Sequence, residues 1–416
     1  METDETLARY VFIGFDPIAK IKARNNEVTI TMDNKTVKYE TENPLLDLKP
    51  FLNNNKIKQE GFIGGLVGYV SYETIKYIEN VPTHESIYPD FEFGLYLDSI
   101  IYDNKKKECK YITFNEDRSE LIERIYAEEH SNGLFEYKII NEDLNQKEYE
   151  TIVQNAKELI QNGEIFQSVL SNAENMKIKG SKLPLYEQLR KINPSPYMYH
   201  LKFNKREIIG SSPEMLMRLE NREIETYPIA GTRPRGKNKT EDKKLEQSLL
   251  NDKKELAEHL MLVDLARNDI GKISKNKSVK VDEFNCIKKF SHVQHIVSHV
   301  TGIIKDEYDS VDAFMSIFPA GTLSGAPKIR AMEIIHKFEK YGRGPYGGAV
   351  GYFSLNGNAD FAITIRTITT YNNRAEIQAG AGIVYDSNPT SEYEECRRKK
   401  AALIESLEKS CYRVKI

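Results

Sequence analysis

Residues 349–409 read AVGYFSLNGNADFAITIRTITTYNNRAEIQAGAGIVYDSNPTSEYEECRRKKAALIESLEK, and this stretch decides the fold class. Ala349–Ser354, Asp360–Thr369 and Glu376–Ala379 are β-branched or alternating, which predicts three strands. From about Thr390 to Lys409 the apolar spacing turns helical. Strands and helices mixed in this way, without regular βαβ alternation, predict an α+β chain rather than a doubly wound parallel sheet.

The same mixture continues toward the amino terminus. Helices are predicted over Pro327–Phe338, Thr240–Ile270, Leu185–Ile192 and Tyr149–Asn162, the last followed by Gly163 as a left-handed stop. Strands are predicted over Glu223–Tyr227, Tyr197–Phe203 and Ile165–Ser171. Before a charged, weakly patterned stretch at Ser119–Asp143, short β-prone runs dominate: Val28–Thr31, Gly64–Val70 and Leu95–Tyr102. A boundary near Asn145 therefore divides an amino-terminal β-rich region (1–145) from a second region (146–416).

With 416 residues, 40% of them hydrophobic, and a net charge of −3, the composition is that of an ordinary globular protein. The basic runs Lys105–Lys107 and Arg397–Lys400 have acidic neighbours, so no nucleic-acid partner is expected. Cys109, Cys286, Cys396 and Cys411 are far apart and form no CxxC pair, which fits a reducing, cytoplasmic setting. No apolar run reaches the roughly 18 residues of a membrane span, and the first residues lack the charge and apolar core of a secretion signal.

Several residues have the makings of a reaction centre. Glu392, Glu395 and Lys399 share one face of the last predicted helix, and Glu255 and Glu258 repeat the three-residue spacing. Two carboxylate pairs brought together repel unless a hard cation such as Mg²⁺ lies between them. Spacing alone favours a simpler reading, solvated helix faces with i, i+4 ion pairs. On a strand His295 and His299 face one way and His292 the other, so a lone proton-transfer histidine fits better than a zinc site. Glycine turns at Gly231-Thr232, Gly321-Thr322 and Gly380-Ala381-Gly382 allow backbone amides close to an anion, although ordinary tight turns use the same residues.

Nine blocks, in order, carry a resemblance: RYVFIGFDP (9–17), GEIFQSVLS (163–171), INPSPYMY (192–199), GSSPE (210–214), YPIAGTRPRG (227–236), AEHLMLVDLARND (257–269), SHVQHIVS (291–298), FPAGTLSGAPK (318–328) and AGAGIVYDS (379–387). Together they resemble the chorismate-utilising enzymes, most closely the large subunits of anthranilate synthases. That resemblance implies mixed, largely antiparallel sheets forming a core with helices outside. It implies a lyase in tryptophan biosynthesis that adds ammonia to chorismate, expels a hydroxyl group and releases pyruvate.

The resemblance also assigns roles. Glu258 and Glu395 match Mg²⁺ ligands, with Glu255 and Glu392 behind them. Glu214 matches a general acid and His295 a catalytic histidine, while Arg366, Lys399, Tyr346, Gly231, Thr232, Gly380, Ala381 and Gly382 match the substrate site. Gln167 stands where water-adding relatives carry a lysine base, Ala230 where aminodeoxychorismate synthases carry a nucleophilic lysine, and Thr322 matches the anthranilate branch. No G-x-C-x-G nucleophile surrounds any cysteine, so a separate glutamine amidotransferase subunit is expected. Pro196, Tyr197 and Met198 match a tryptophan-binding wall, and Met1-Glu2-Thr3 stands where a fuller LLES element is found, so weakened inhibition by L-tryptophan is expected. The competing readings are the aminodeoxychorismate synthase large subunit and a non-catalytic tryptophan-sensing subunit.

Overall fold

The computed structural model describes residues 9–52, 61–114, 117–120, 135–289 and 293–411. Met1-Glu2-Thr3, His292 and most of the Ser119–Asp143 stretch lie outside the described residues.

A twelve-stranded sheet forms the larger layer. Its central strands alternate between chain regions: Met215–Glu220 pairs with Ala359–Ile363, then Ala349–Ser354, Gly65–Val70, Phe91–Tyr96 and Ala19–Arg24. Gly65–Val70 is bonded directly to Ala349–Ser354, so strands from either side of Asn145 share one sheet. One apolar core lies against it, with Ile21, Phe93, Phe314, Phe353 and Phe361 all fully enclosed. Asn145 itself caps the helix Gln146–Gln161: its side chain accepts from the Glu148 amide, and the Glu148 carboxylate accepts from the Asn145 amide.

A second, seven-stranded sheet contains Tyr197–Phe203, Arg206–Ser212, Thr367–Tyr371, Arg374–Ile383 and the long strand Gln167–Gly180. The helix Pro389–Ser410 packs on it, and every strand pair in the described sheets is antiparallel. A third sheet, Tyr10–Gly14 with Asp98–Asp103 and Glu108–Thr113, completes an α+β architecture in which helices cover antiparallel sheets.

Four sequence expectations are corrected. Thr240–Ile270 is not one helix: Lys239–Leu250 stops, and Asp252 begins Lys253–Gly271 by accepting from the amides of Lys254 and Glu255. Asp360–Thr369 is not one strand: Ala359–Ile363 belongs to the larger sheet and Thr367–Tyr371 to the smaller, with Arg366 in the left-handed region (φ 51°) at the crossing. Leu95–Tyr102 divides in the same way, since Phe91–Tyr96 and Asp98–Asp103 enter different sheets. Finally, the strands begun at Ile165 and Glu376 run over Gln167–Gly180 and Arg374–Ile383, because their polar outer residues still find ladder partners in each other.

Candidate active site

The pairing of Gln167–Gly180 with Arg374–Ile383 builds the floor. Its register sets Val169 opposite Gly382, Leu170 opposite Ala381 and Ser171 opposite Gly380. A methyl at Gly382 would come within 2.7 Å of Gln167 Nε2, and one at Gly380 within 2.8 Å of the Tyr346 hydroxyl. Glycine at these two positions thus leaves room for the Gln167 amide and the Tyr346 ring over the floor. Ala381 alternates to the other face and joins the apolar core, so only its backbone can serve the site.

Carboxylates border this floor from two helices. Gln167 is 3% exposed and donates through Nε2 to Glu258 Oε1 at 2.9 Å. Burial raises the Glu258 carboxyl above its ordinary range, Gln167 opposes this, and the nearby charges of Glu255 and Glu395 raise it further. Burial and Glu395 likewise raise Glu392. Glu258 thus lies within electrostatic reach of Glu395 on the other helix, while Glu255 accepts from Arg233 Nη1 at 3.2 Å. Glu395 also makes the i, i+4 ion pair, 2.8 Å from Lys399 Nζ, and that nitrogen donates to the Gly380 carbonyl at 2.7 Å. Arg366 joins them, donating from Nη1 to the Lys399 carbonyl at 2.8 Å.

Among the described residues no group of three His, Cys, Asp or Glu side chains forms a ready metal cage. Mg²⁺ needs only one or two protein carboxylates when water and an anionic substrate complete its shell. The mutual repulsion of Glu258 and Glu395 and the oxygen-only donor set fit such an ion.

Opposite the floor, His295 lies on the strand Val293–Ile303. Its Nδ1 donates to the Gly231 carbonyl at 2.8 Å, with the Thr232 hydroxyl 3.1 Å away. Gly231 adopts φ 64°, a conformation that turns its carbonyl toward the ring and that other residues enter reluctantly. Burial lowers the pKa of His295, the Gly231 bond opposes this and Arg366 adds to it, so the ring is neutral with its lone pair on Nε2. His299 is engaged elsewhere, 2.7 Å from Glu225 and stacked on Tyr227 at 4.3 Å.

Glu214 follows the strand Arg206–Ser212 and receives the Thr322 hydroxyl at 2.8 Å. Burial lifts its carboxyl to about 7, against the pull of Thr322 and Lys399. Ala230 pairs with Ile296 in the larger sheet and offers only a methyl. Pro196, Tyr197 and Met198 sit apart from these groups on and beside the edge strand Tyr197–Phe203. There the Tyr197 hydroxyl donates to Asp360 at 2.8 Å and Met198 packs against the second apolar cluster.

Sequence reasoning missed the support behind Tyr346. Arg343, 2% exposed, stands 5.6 Å from the Tyr346 ring and 4.6 Å from that of Tyr72, and binds Glu339 through two nitrogens at 2.7 and 2.8 Å. The only sequence signal was an arginine amid glycines in GRGPYGG, which has no periodicity to mark burial.

A profile of the chorismate binding enzymes matches residues 1–405. The chain belongs to that family. The chorismate-binding relatives include the anthranilate synthase component 1 of Methanothermobacter marburgensis, 53% identical over 408 residues that cover 98% of this chain and 88% of that protein. That of Acetivibrio thermocellus is 42% identical over 441 residues, covering 99% and 89%. The crystal structure of anthranilate synthase component I from Streptococcus pneumoniae TIGR4 has a TM-score of 0.84 at 36% identity, covering 95% of this chain and 92% of that one. The menaquinone-specific isochorismate synthase of Escherichia coli, with a TM-score of 0.71 at 18% identity, shares the fold. This chorismate-binding enzyme thus stands with the component 1 anthranilate synthases. No helix among the described residues is long and apolar enough to cross a membrane.

Proposed function

We propose that this enzyme converts chorismate and ammonia to anthranilate, pyruvate and water, with Mg²⁺ as cofactor and a separate glutamine amidotransferase subunit as the ammonia source. The observation that carries the reading is Gln167, held against Glu258 at 2.9 Å where a water-adding relative would carry a base. An amide cannot take a proton from water, so the nucleophile must arrive already able to attack. Ala230 excludes the covalent lysine route, which sets aside the aminodeoxychorismate alternative.

In the first step ammonia forms a C–N bond to the ring and the hydroxyl leaves as water with the proton of Glu214, a group that burial lifts to about 7 and so leaves a proton to give as pH falls through neutrality. In the second, the enolpyruvyl C–O bond breaks, pyruvate departs and the ring becomes aromatic as it loses a proton. His295 is the group to move it, because its neutral ring is oriented by Gly231 with Nε2 as the acceptor. Glu258 and Glu395 would hold Mg²⁺, whose charge neutralises the ring carboxylate, while Arg366 and Lys399 orient the second carboxylate. The presence of acid, histidine and carboxylates together disfavours a purely tryptophan-sensing role. L-Tryptophan as an inhibitor at Pro196, Tyr197 and Met198, and a cytoplasmic setting suited to four free cysteines, belong to the same proposal.

Supplied with chorismate, Mg²⁺ and an ammonium salt, the purified chain is expected to produce the blue fluorescence of anthranilate, whereas glutamine alone should give none. Another amination product, or activity with glutamine, would overturn the reading. In the same assay Glu258→Gln should raise the Mg²⁺ concentration for half-maximal rate by about 10- to 100-fold. An unchanged Mg²⁺ dependence would remove Glu258 from the metal site.

A further inference from the structure

The turn that orients His295 is a bulge in the larger sheet. Ala230 pairs with Ile296 and Arg233 with Gln294, so Gly231 and Thr232 together stand opposite the single residue His295. A bulge of this kind re-aims the groups of one strand at a side chain of the next. Both residues are used, since the Gly231 carbonyl and the Thr232 hydroxyl reach the same ring nitrogen at 2.8 and 3.1 Å. The ladder is broken where they lie, so their geometry depends on contacts from outside the sheet.

Arg233 supplies those contacts. Its Nη1 donates to the Thr232 carbonyl at 2.9 Å and to Glu255 Oε1 at 3.2 Å, and its Nη2 donates to Asp252 Oδ2 at 2.8 Å. Asp252 in turn caps the helix Lys253–Gly271, accepting from the amides of Lys254 at 3.1 Å and Glu255 at 3.3 Å. The Glu255 carboxylate also lies against the bulge itself: a methyl on Gly231 would come within 3.1 Å of its Oε2. One guanidinium thus ties the bulge to the first turn of the helix that carries Glu258. The planar fork of an arginine suits the task, because two carboxylates and a carbonyl need donors in fixed directions.

We propose that Arg233 is a positioning residue that clamps the Gly231-Thr232 bulge to this helix and so holds His295 in one tautomer, and that Glu255 serves the histidine rather than the divalent ion. The charges facing the ring fit the assignment. Glu255 favours the protonated ring and Arg366 the neutral one, and Lys288, opposite His295 across the sheet, is engaged by Glu283 at 3.4 Å. By pairing with Glu255, Arg233 offsets the one neighbouring carboxylate that would charge the ring. The inference rests on His295 being the group that moves the proton.

Arg233→Met removes the fork and leaves Glu255 uncompensated. Its kcat should fall by about 10- to 100-fold with KM for chorismate little changed. The acid limb of the kcat profile, where His295 takes up a proton, should move to higher pH. Glu255→Gln removes the charge that favours the imidazolium, so there the limb should move to lower pH. Arg233→Lys keeps the charge without the fork; it should leave the limb in place and recover only part of kcat. Shifts in one direction for Arg233→Met and Glu255→Gln, or a shift in neither, would overturn the clamp. NMR titration of the His295 ring in the chorismate-free chain, its signal identified by loss in His295→Asn, should show the same opposed shifts whatever the product. A chain that makes no anthranilate sinks the proposed reaction and leaves this titration standing, whereas a ring indifferent to both substitutions sinks the clamp alone. Glu255→Gln should also change the Mg²⁺ concentration for half-maximal rate far less than the rise of about 10- to 100-fold expected for Glu258→Gln. An equal rise would return Glu255 to the ion.

Discussion

Glu214→Gln is expected to lower kcat by about 10²- to 10⁴-fold, the range over which a positioned general acid acts. Glutamine has the same shape and can still accept the Thr322 hydroxyl, now 2.8 Å from Glu214, but it has no acidic proton to give. The melting temperature should hardly move. In the unaltered enzyme kcat/KM should fall as pH rises through about 7, because the acid is active only while protonated. That alkaline limb should vanish in Glu214→Gln. A variant retaining more than about a tenth of kcat would remove Glu214 from the role of general acid.

The largest effect on stability is expected at Arg343→Met. The guanidinium donates to Glu339, to the Leu323 carbonyl at 2.7 Å and to the Val169 carbonyl at 2.8 Å, all out of contact with water. Methionine fills much of the volume yet abandons the buried Glu339 charge and two carbonyls, so urea unfolding should show a loss of about 3–5 kcal/mol. Arg343→Lys should recover part of it, since a lysine cannot reproduce the two-nitrogen fork. The double variant with Glu339→Gln should be less damaged than Arg343→Met alone, because the orphaned charge is gone. A loss below about 1 kcal/mol would show that Ser171, which donates to Glu339 through its amide and hydroxyl at 2.8 and 2.7 Å, suffices.

Much of this was legible in the sequence where local pattern and tertiary structure agree. The helix Pro389–Ser410 and the strand Ala349–Ser354 follow their apolar spacing, and their neighbours reinforce it. Pattern failed where a continuous β-prone run changes sheet. Nothing in the alternation of Asp360–Thr369 or Leu95–Tyr102 marks the turn, because both halves remain strands and only their partners differ. The break at Asn251-Asp252 was written in the sequence as a capping residue but lay inside an unbroken run of helix formers.

The carboxylate groups at Glu255/Glu258 and Glu392/Glu395 were visible as spacings. The approach of Glu395 to Glu258 was not, since it depends on how segments more than 130 residues apart pack together. The Gly231 carbonyl that orients His295 was likewise invisible, because a backbone acceptor leaves no trace in residue type.

The crossing at Thr364–Arg366 gives the cleft a mechanical character. Arg366 sits at the hinge where one sheet hands the chain to the other, and its guanidinium is latched to the backbone of the terminal helix. Sliding the layers past one another would drag this clamp off the helix that carries Glu395 and Lys399. The grip on an anionic guest is thereby geared to the alignment of the two layers, and substitutions remote from the cleft that shear them would loosen it without touching a single reacting group.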